Sequence, residues 1–110
     1  MPLTEGTKKD EGKLRYELIP PEALEALAAV LTSGANKYAV RNWEHGITYG
    51  RVFGALSRHL WAWWARRNND IETGVSHLWH ALCCLVFLVT YEMRKMEEFD
   101  DRPEVSRTSP

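Results

Sequence analysis

The chain of 110 residues carries 14 lysine and arginine side chains against 15 aspartate and glutamate side chains, a formal net charge of −1. This balance leaves no overall field to draw the protein onto nucleic acid or an anionic membrane, so we expect no membrane association and no stable nucleic-acid binding. The length suits one small domain. The adjacent cysteines, Cys83 and Cys84, exclude a disulfide framework and, without a recognisable signal peptide, indicate a cytoplasmic compartment.

Residues 1–18 form no regular apolar pattern and contain Gly6 and Gly12, which predicts a flexible arm. One interpretation is a solvated segment without a function of its own. The other is a phosphate contact, because Lys13 and Arg15 flank a flexible backbone that can wrap around an anion. The sequence leaves both interpretations open.

The first predicted helix covers residues 21–32, since Pro21 suits a first helical position and leucines recur at helical spacing. Gly34 then serves as the expected terminator. Glu22 and Glu25 lie one turn apart and can act together as carboxylates. Acids in a first turn also simply complement the helix dipole, an explanation that suits Glu22 better than Glu25.

Residues 35–49 mix aromatic rings with cationic and amide side chains. In a structural interpretation, Tyr38 and Trp43 cover the core and Asn42 caps a helix or turn. In a functional interpretation, the same residues and Lys37 contact a nucleobase or phosphate.

Two more helices are predicted, over residues 49–67 and 75–97, the second with Thr73 or Ser76 as its cap. On the earlier helix, Arg58 lies opposite the apolar face and His59 lies at its edge. Residues 99–110 are short and polar, which predicts a disordered tail. We therefore expect one helical domain over residues 1–98 and a tail over residues 99–110.

The last helix carries a polar stripe on an otherwise apolar surface. At about 100° per residue, its members fall within one narrow sector, and they are His77, His80, Cys84 and Tyr91. A helix that is apolar almost all round is buried on most sides, so the stripe is expected to face protein or a closed site. Asp70 and Glu72 precede it directly. Carboxylates and imidazoles bind divalent metals or transfer protons.

Several known site types are absent from the sequence or disfavoured. His77 and His80 are three residues apart, whereas the zincin signature needs a spacing of four. Cys84 could complete a zinc site, but buried cysteines on apolar helices are mostly small hydrophobic residues. The sequence has no Walker loop, dinucleotide fingerprint, nucleophile elbow or paired CxxC motif.

The ordered motifs EGKLRYELIPPEALEALAAVL, GANKY, RNW, RHL and DIETGVSHLWHALCC resemble the N-terminal domain of phage dATP/dGTP diphosphohydrolases, a MazZ-type family, over residues 10–92. The resemblance implies an all-α, MazG-like bundle of three to four helices. It also implies Mg²⁺- or Mn²⁺-dependent hydrolysis of purine deoxynucleoside triphosphates to the monophosphate and diphosphate, in phage nucleotide metabolism within the cytoplasm of a bacterial host.

The resemblance also directs the choice of site residues. Glu22 and Glu25 match the spacing of the family's ExxE metal motif, whereas Glu97 and Asp100 match its ExxD spacing only at a helix end. The expected metal ligands are Glu22, Glu25, Asp70 and Glu72. The expected catalytic residues are His59, His77 and His80. The expected substrate-binding residues are Lys13, Arg15, Lys37, Tyr38, Asn42, Trp43 and Arg58.

A different class of function competes with the enzyme. Five tryptophans are many for a chain of this length. Exposed aromatic side chains would also suit a non-enzymatic helical module that binds another protein. The run from Ala81 to Val89 is apolar at every angle. It therefore predicts a homo-oligomer, in the simplest case a dimer built on the last helix.

Overall fold

The computed structural model describes residues 5–105, and the predicted all-α fold is confirmed there. Helix α1 covers Pro21–Lys37, α2 covers Tyr49–Trp64, and α3 covers His77–Met93. Short 3₁₀ turns cover Tyr16–Leu18, Asn42–His45 and Glu97–Phe99. Within residues 5–105 there is no β-strand beyond an isolated bridge between Asn69 and Ser76. Over the same residues, no helix combines the length and apolarity needed to cross a membrane.

Helix α1 begins at Pro21 as predicted but extends past Gly34 to Lys37, so the predicted end at residue 32 is wrong. The carbonyl of Gly34 accepts a 2.9 Å hydrogen bond from the Tyr38 amide, which continues the helical pattern. Gly34 is therefore an interior helical residue rather than a terminator.

Helix α3 packs against both α1 and α2, whereas those two helices scarcely contact each other. The buried core consists of small and medium apolar side chains together with one aromatic ring, namely Ala26, Val30, Val52, Leu56, Ala62, Ala81, Cys83 and Tyr91. Helix α2 ends at Trp64 rather than at residue 67. Helix α3 begins at His77, with the Ser76 side chain accepting from the Leu78 amide, and ends at Met93 rather than at residue 97.

Tyr91 links the core to the turn at 42–45. It is fully buried, and its hydroxyl donates a 2.6 Å hydrogen bond to the carbonyl oxygen of Trp43. The Trp43 ring stacks on Phe87 at a centroid distance of 4.5 Å. Trp43 therefore covers the core, as the structural interpretation of this segment required, while Tyr38 remains 66% exposed.

The 3₁₀ turn Glu97–Phe99 brings the chain back to the start of α2. The Gly50 amide donates a 2.7 Å hydrogen bond to Asp101, and the Phe99 ring lies directly beside Gly46. The predicted tail from residue 99 thus begins with residues that contact the helical body. Residues 1–4 and 106–110, which belong to the predicted domain and tail, lie outside the described residues, and the boundary at residue 99 stays a prediction.

Candidate functional site

A cavity of about 970 Å³ opens between the carboxyl end of α1, the turn at 42–45, α2, residues 70–73 and α3. Pockets that hold small molecules reach a similar volume, about 1,000 Å³. Eight residues singled out from the sequence line it, namely Lys37, Tyr38, Asn42, Trp43, His59, Asp70, Glu72 and His80. The cavity therefore joins segments that lie far apart in the sequence.

The loop between α2 and α3 is a tightly closed turn that positions Asp70. The Asp70 side chain accepts a 3.0 Å hydrogen bond from the Thr73 amide, as aspartate does in Asx turns. Gly74 adopts a positive φ of 73°, and its amide donates to the Asp70 carbonyl at 2.8 Å. A further 2.8 Å bond from the His77 amide to the Asn68 carbonyl closes the loop at the start of α3. Asp70 is therefore held beside the first turn of that helix.

Three histidines meet next to this loop. His59 of α2 and His77 of α3 place their Nδ1 atoms 2.9 Å apart. The ring of His59 also stacks on that of His80, with centroids 4.7 Å apart. His80 in turn makes a 2.7 Å hydrogen bond between its Nε2 and the Thr73 hydroxyl. All three rings are partly buried, so their positions are defined by neighbouring protein atoms.

The electrostatics favour neutral rings at His59 and His80 beside an ionised Asp70 carboxylate. Burial lowers the pKa of His59, and the neighbouring His80 and His77 lower it further. Burial also lowers the pKa of His80, although the charge of Asp70 opposes that effect. Burial raises the pKa of the Asp70 carboxyl, but the Thr73 amide, the charge of His80 and the Glu72 amide outweigh it, so the net pKa lies below the usual value.

The rim of the cavity carries cations. Lys37 pairs with Glu72 across the opening at 2.7 Å, which raises the pKa of the Lys37 ammonium. Arg41 lies 3.7 Å from Glu44, a carboxylate that Arg94 also contacts at 2.8 Å. Arg51 lines the cavity and has no ion-pair partner in the described part of the chain. An anionic ligand would meet these cations at the entrance.

Six of the residues expected in the site do not line this cavity. One of them, His77, contacts the lining residue His59. Glu22 and Glu25 are exposed on α1, and Arg58 is exposed on α2. Lys13 is exposed in the segment before α1, where Arg15 is paired with Glu17 at 3.1 Å. The structure thus separates the ExxE pair from the cavity that contains Asp70 and Glu72, and the roles of these six residues stay predictions.

Arg41, Glu44, Arg51 and Thr73 also line the cavity, although they are not among the site residues predicted from the sequence. For Thr73 a signal existed, since it lies in the short loop between Asp70 and His77, where its amide contacts Asp70 and its hydroxyl contacts His80. For Arg51 no signal existed, because its position at the cavity depends on how α2 packs against α3. Cys84 also lines the cavity.

Comparison with known proteins adds a second line of information. The family described as dATP/dGTP diphosphohydrolase, N-terminal, matches residues 4–102. A dATP/dGTP diphosphohydrolase of Salmonella phage PMBT28 is 37% identical over 83 residues, which cover 76% of this chain. The same match covers 28% of the phage protein, so the chain spans less than a third of that relative's length. No solved structure matches the chain significantly.

Proposed function

The chain belongs to the dATP/dGTP diphosphohydrolase N-terminal family, and from this membership we propose that it hydrolyses purine deoxynucleoside triphosphates to the monophosphate and diphosphate in phage nucleotide metabolism. One structural observation supports this proposal in addition to the family membership. A single cavity gathers an ionised carboxylate, partly buried imidazoles, aromatic rings and a cationic rim. Such groups can bind a nucleotide and can assist the hydrolysis of its phosphoanhydride by proton transfer and charge stabilisation.

The rim accounts for the binding of the nucleotide. Lys37 and Arg51 present positive charge to the triphosphate, and Arg41 is close enough to join them. The Lys37 ammonium lies 5.2 Å from the centre of the Tyr38 ring, an exposed aromatic surface on which a purine can stack. Asn42 lines the same part of the cavity and can donate and accept hydrogen bonds at a base edge.

The donor groups of the cavity fit the divalent metal that the family implies. Asp70 offers an ionised carboxylate, and Glu72 offers a second one when it separates from Lys37. Mg²⁺ and Mn²⁺ bind through one or two carboxylates and complete their coordination with phosphate oxygens and water. When bound, such an ion supplies charge neutralisation at the phosphates and a more acidic water.

The histidines supply the proton chemistry. Hydrolysis breaks the anhydride bond between the α- and β-phosphates, and a water oxygen forms the new bond to phosphorus. A proton must leave that water, and a neutral imidazole can accept it. His80 suits this role because its ring is fixed by Thr73 on one side and by stacking on His59 on the other.

Product analysis tests this proposal directly. The untagged protein is incubated with dATP, dGTP and a pyrimidine control, with and without Mg²⁺ or Mn²⁺, and the products are resolved by anion-exchange chromatography. We expect diphosphate from the purine nucleotides only when metal is present. Asp70→Asn and His80→Leu should each lose turnover while keeping the thermal midpoint, whereas His45→Ala should keep both. Absence of diphosphate under every condition would refute the proposal.

A second candidate is a non-enzymatic interaction module, and one observation favours it. On α2 and α3, large apolar side chains that do not line the cavity remain exposed. We define this apolar back face by its residues Phe53, Leu60, Trp61, Trp64, Leu78, Leu85 and Val89. If binding another protein through this face were the whole function, the nucleotide assay would show no diphosphate. Asp70→Asn would then leave the binding of that partner unchanged.

We assign the apolar back face to a second copy of the chain, so that the protein is a homodimer. Trp64 is 72% exposed and Phe53 is 62% exposed. With roughly 150–250 Å² for each fully exposed aromatic side chain, and less for the aliphatic ones, the face offers on the order of 700 Å². A standard interface buries about 800 Å² per partner, so the face suffices for a symmetric dimer.

Sedimentation velocity at micromolar concentration tests the dimer. We expect a dimer for the unmodified protein and a monomer for Trp64→Glu, because the charge would be buried without a partner at the interface. Leu14→Glu is the matched control, since Leu14 is exposed outside the apolar back face. A monomeric unmodified protein, or equal behaviour of both variants, would exclude this interface.

A further inference from the structure

Three separate parts of the chain converge on one group of metal-binding atoms. His59 comes from the middle of α2, His77 is the first residue of α3, and Asp70 lies in the loop that joins these helices. One potential ligand atom from each residue lies within 4.8 Å of the other two. The three side chains are partly buried, which distinguishes them from an exposed acidic cluster.

The distance between the two imidazoles is informative. Two Nδ1 atoms at 2.9 Å repel each other when both carry a proton or when both present a lone pair. The contact is favourable when one nitrogen donates to the other, or when both face a shared cation. With metal–nitrogen bonds of about 2.1 Å, two neighbouring ligands of an octahedral ion lie about 3.0 Å apart. The observed separation therefore matches a pair of ligands to one ion.

The surrounding contacts hold these ligands in place. The Thr73 amide fixes the Asp70 carboxylate, and the Thr73 hydroxyl binds His80. His80 lies in stacking contact with His59. Hydrogen bonds of this kind orient the ligands in known metal sites. Because Nε2 of His80 is already bonded to Thr73, His80 supports the group rather than belonging to it.

We infer that His59, His77 and Asp70 form a binding site for one divalent transition-metal ion such as Mn²⁺, Co²⁺ or Zn²⁺. Two imidazoles with one carboxylate suit such ions, whereas Mg²⁺ prefers a shell made almost entirely of oxygen. Three protein ligands also leave coordination positions for water or phosphate oxygens. The inference deepens the proposed function by naming the class of metal, and it rests on that function only in linking the ion to a nucleotide.

Titration with metal alone tests the site without any reaction. Untagged protein, stripped of metal, is titrated with MnCl₂, CoCl₂, ZnCl₂ and MgCl₂ by isothermal calorimetry in the absence of nucleotide. Visible absorption reports the Co²⁺ complex separately. We expect one transition-metal ion per chain and weaker binding of Mg²⁺. If the protein binds a transition metal but hydrolyses no nucleotide, the proposed hydrolysis is wrong and the metal site stands. If the protein hydrolyses nucleotides but binds only Mg²⁺, the metal site is wrong and the proposed hydrolysis stands.

Variants identify the ligands. Removal of an outer-shell partner typically weakens metal binding about 10–100-fold, so loss of a ligand in His77→Ala or Asp70→Asn should weaken it by at least about 100-fold. His45→Ala is the matched control, because His45 is exposed and lies outside the group. Circular dichroism without metal identifies any variant that fails to fold. His77→Phe is the deciding variant, because it keeps a ring, removes the ligand atom and leaves Asp70 and Glu72 in place. Undiminished metal binding in His77→Phe, or an equal loss of binding in His45→Ala, would overturn the site.

Discussion

Replacement of Tyr91 by phenylalanine tests how the fold supports the cavity. The Tyr91 ring is fully buried, and its hydroxyl donates to the Trp43 carbonyl at 2.6 Å. Tyr91→Phe keeps the ring and removes only the hydroxyl. A typical hydrogen bond contributes about 0.5–1.5 kcal/mol, and leaving a buried partner unsatisfied costs about 1–3 kcal/mol. We therefore expect Tyr91→Phe to lower the free energy of unfolding by about 1–3 kcal/mol.

Urea unfolding followed by tryptophan fluorescence measures this change. All samples are compared at one protein concentration, because the stability of a dimer depends on concentration. Tyr16→Phe is the matched control, since Tyr16 is 72% exposed and should change stability little. If Tyr91→Phe were as stable as the unmodified protein, the Trp43 carbonyl would have another partner, and Tyr91 would not anchor the turn at 42–45.

Further predictions concern pH, thiol reactivity and glycine positions. Burial raises the pKa of Tyr91 to about 12, so its contribution to stability is complete below about pH 10, where an unfolded tyrosine titrates, and is lost as the pH rises towards 12. Unfolding midpoints between these pH values should fall less in Tyr91→Phe. Burial also raises the pKa of Cys83 to about 12, so Ellman's reagent at pH 8 should leave Cys83 unmodified until urea unfolds the protein. Gly34→Ala should stabilise the protein by about 0.5–1 kcal/mol, because the residue is helical and a Cβ there meets open space. Gly46→Ala should destabilise it in the same urea assay, because Gly46 has a φ of 107° and a Cβ there would overlap the Phe99 ring.

The three helices could be predicted because their apolar residues recur at helical spacing, but their ends could not. Helix α2 ends where Arg66 adopts a φ of 64°, and the backbone reverses after α3 where Lys95 adopts a φ of 55°. Glycine usually occupies such positions, so neither arginine nor lysine signals a helix end. Conversely, Gly34 is the expected signal and lies inside α1. Local sequence therefore predicted the elements better than their boundaries.

The part of the candidate site that is local in sequence was predictable. Asp70, His77 and His80 lie within eleven consecutive positions, so a turn before a helix brings them together. The contacts of His59 with His77 and His80 depend instead on how α2 packs against α3. The pairing of Lys37 with Glu72 likewise joins the end of α1 to a distant loop. Spacing within one helix gives no information about such contacts.

The pairing of Lys37 with Glu72 also shows how the cavity can accept a charged ligand at little cost. Both side chains are more than half exposed, and ion pairs in that environment contribute little to stability because water and salt screen them. A triphosphate at the rim would offer Lys37 several anionic oxygens in place of one carboxylate. Glu72 would then be free to join Asp70 as an oxygen donor. In the proposed reaction, binding of the nucleotide would therefore remove the pair that spans the opening and increase the negative charge available to a metal beside the phosphates.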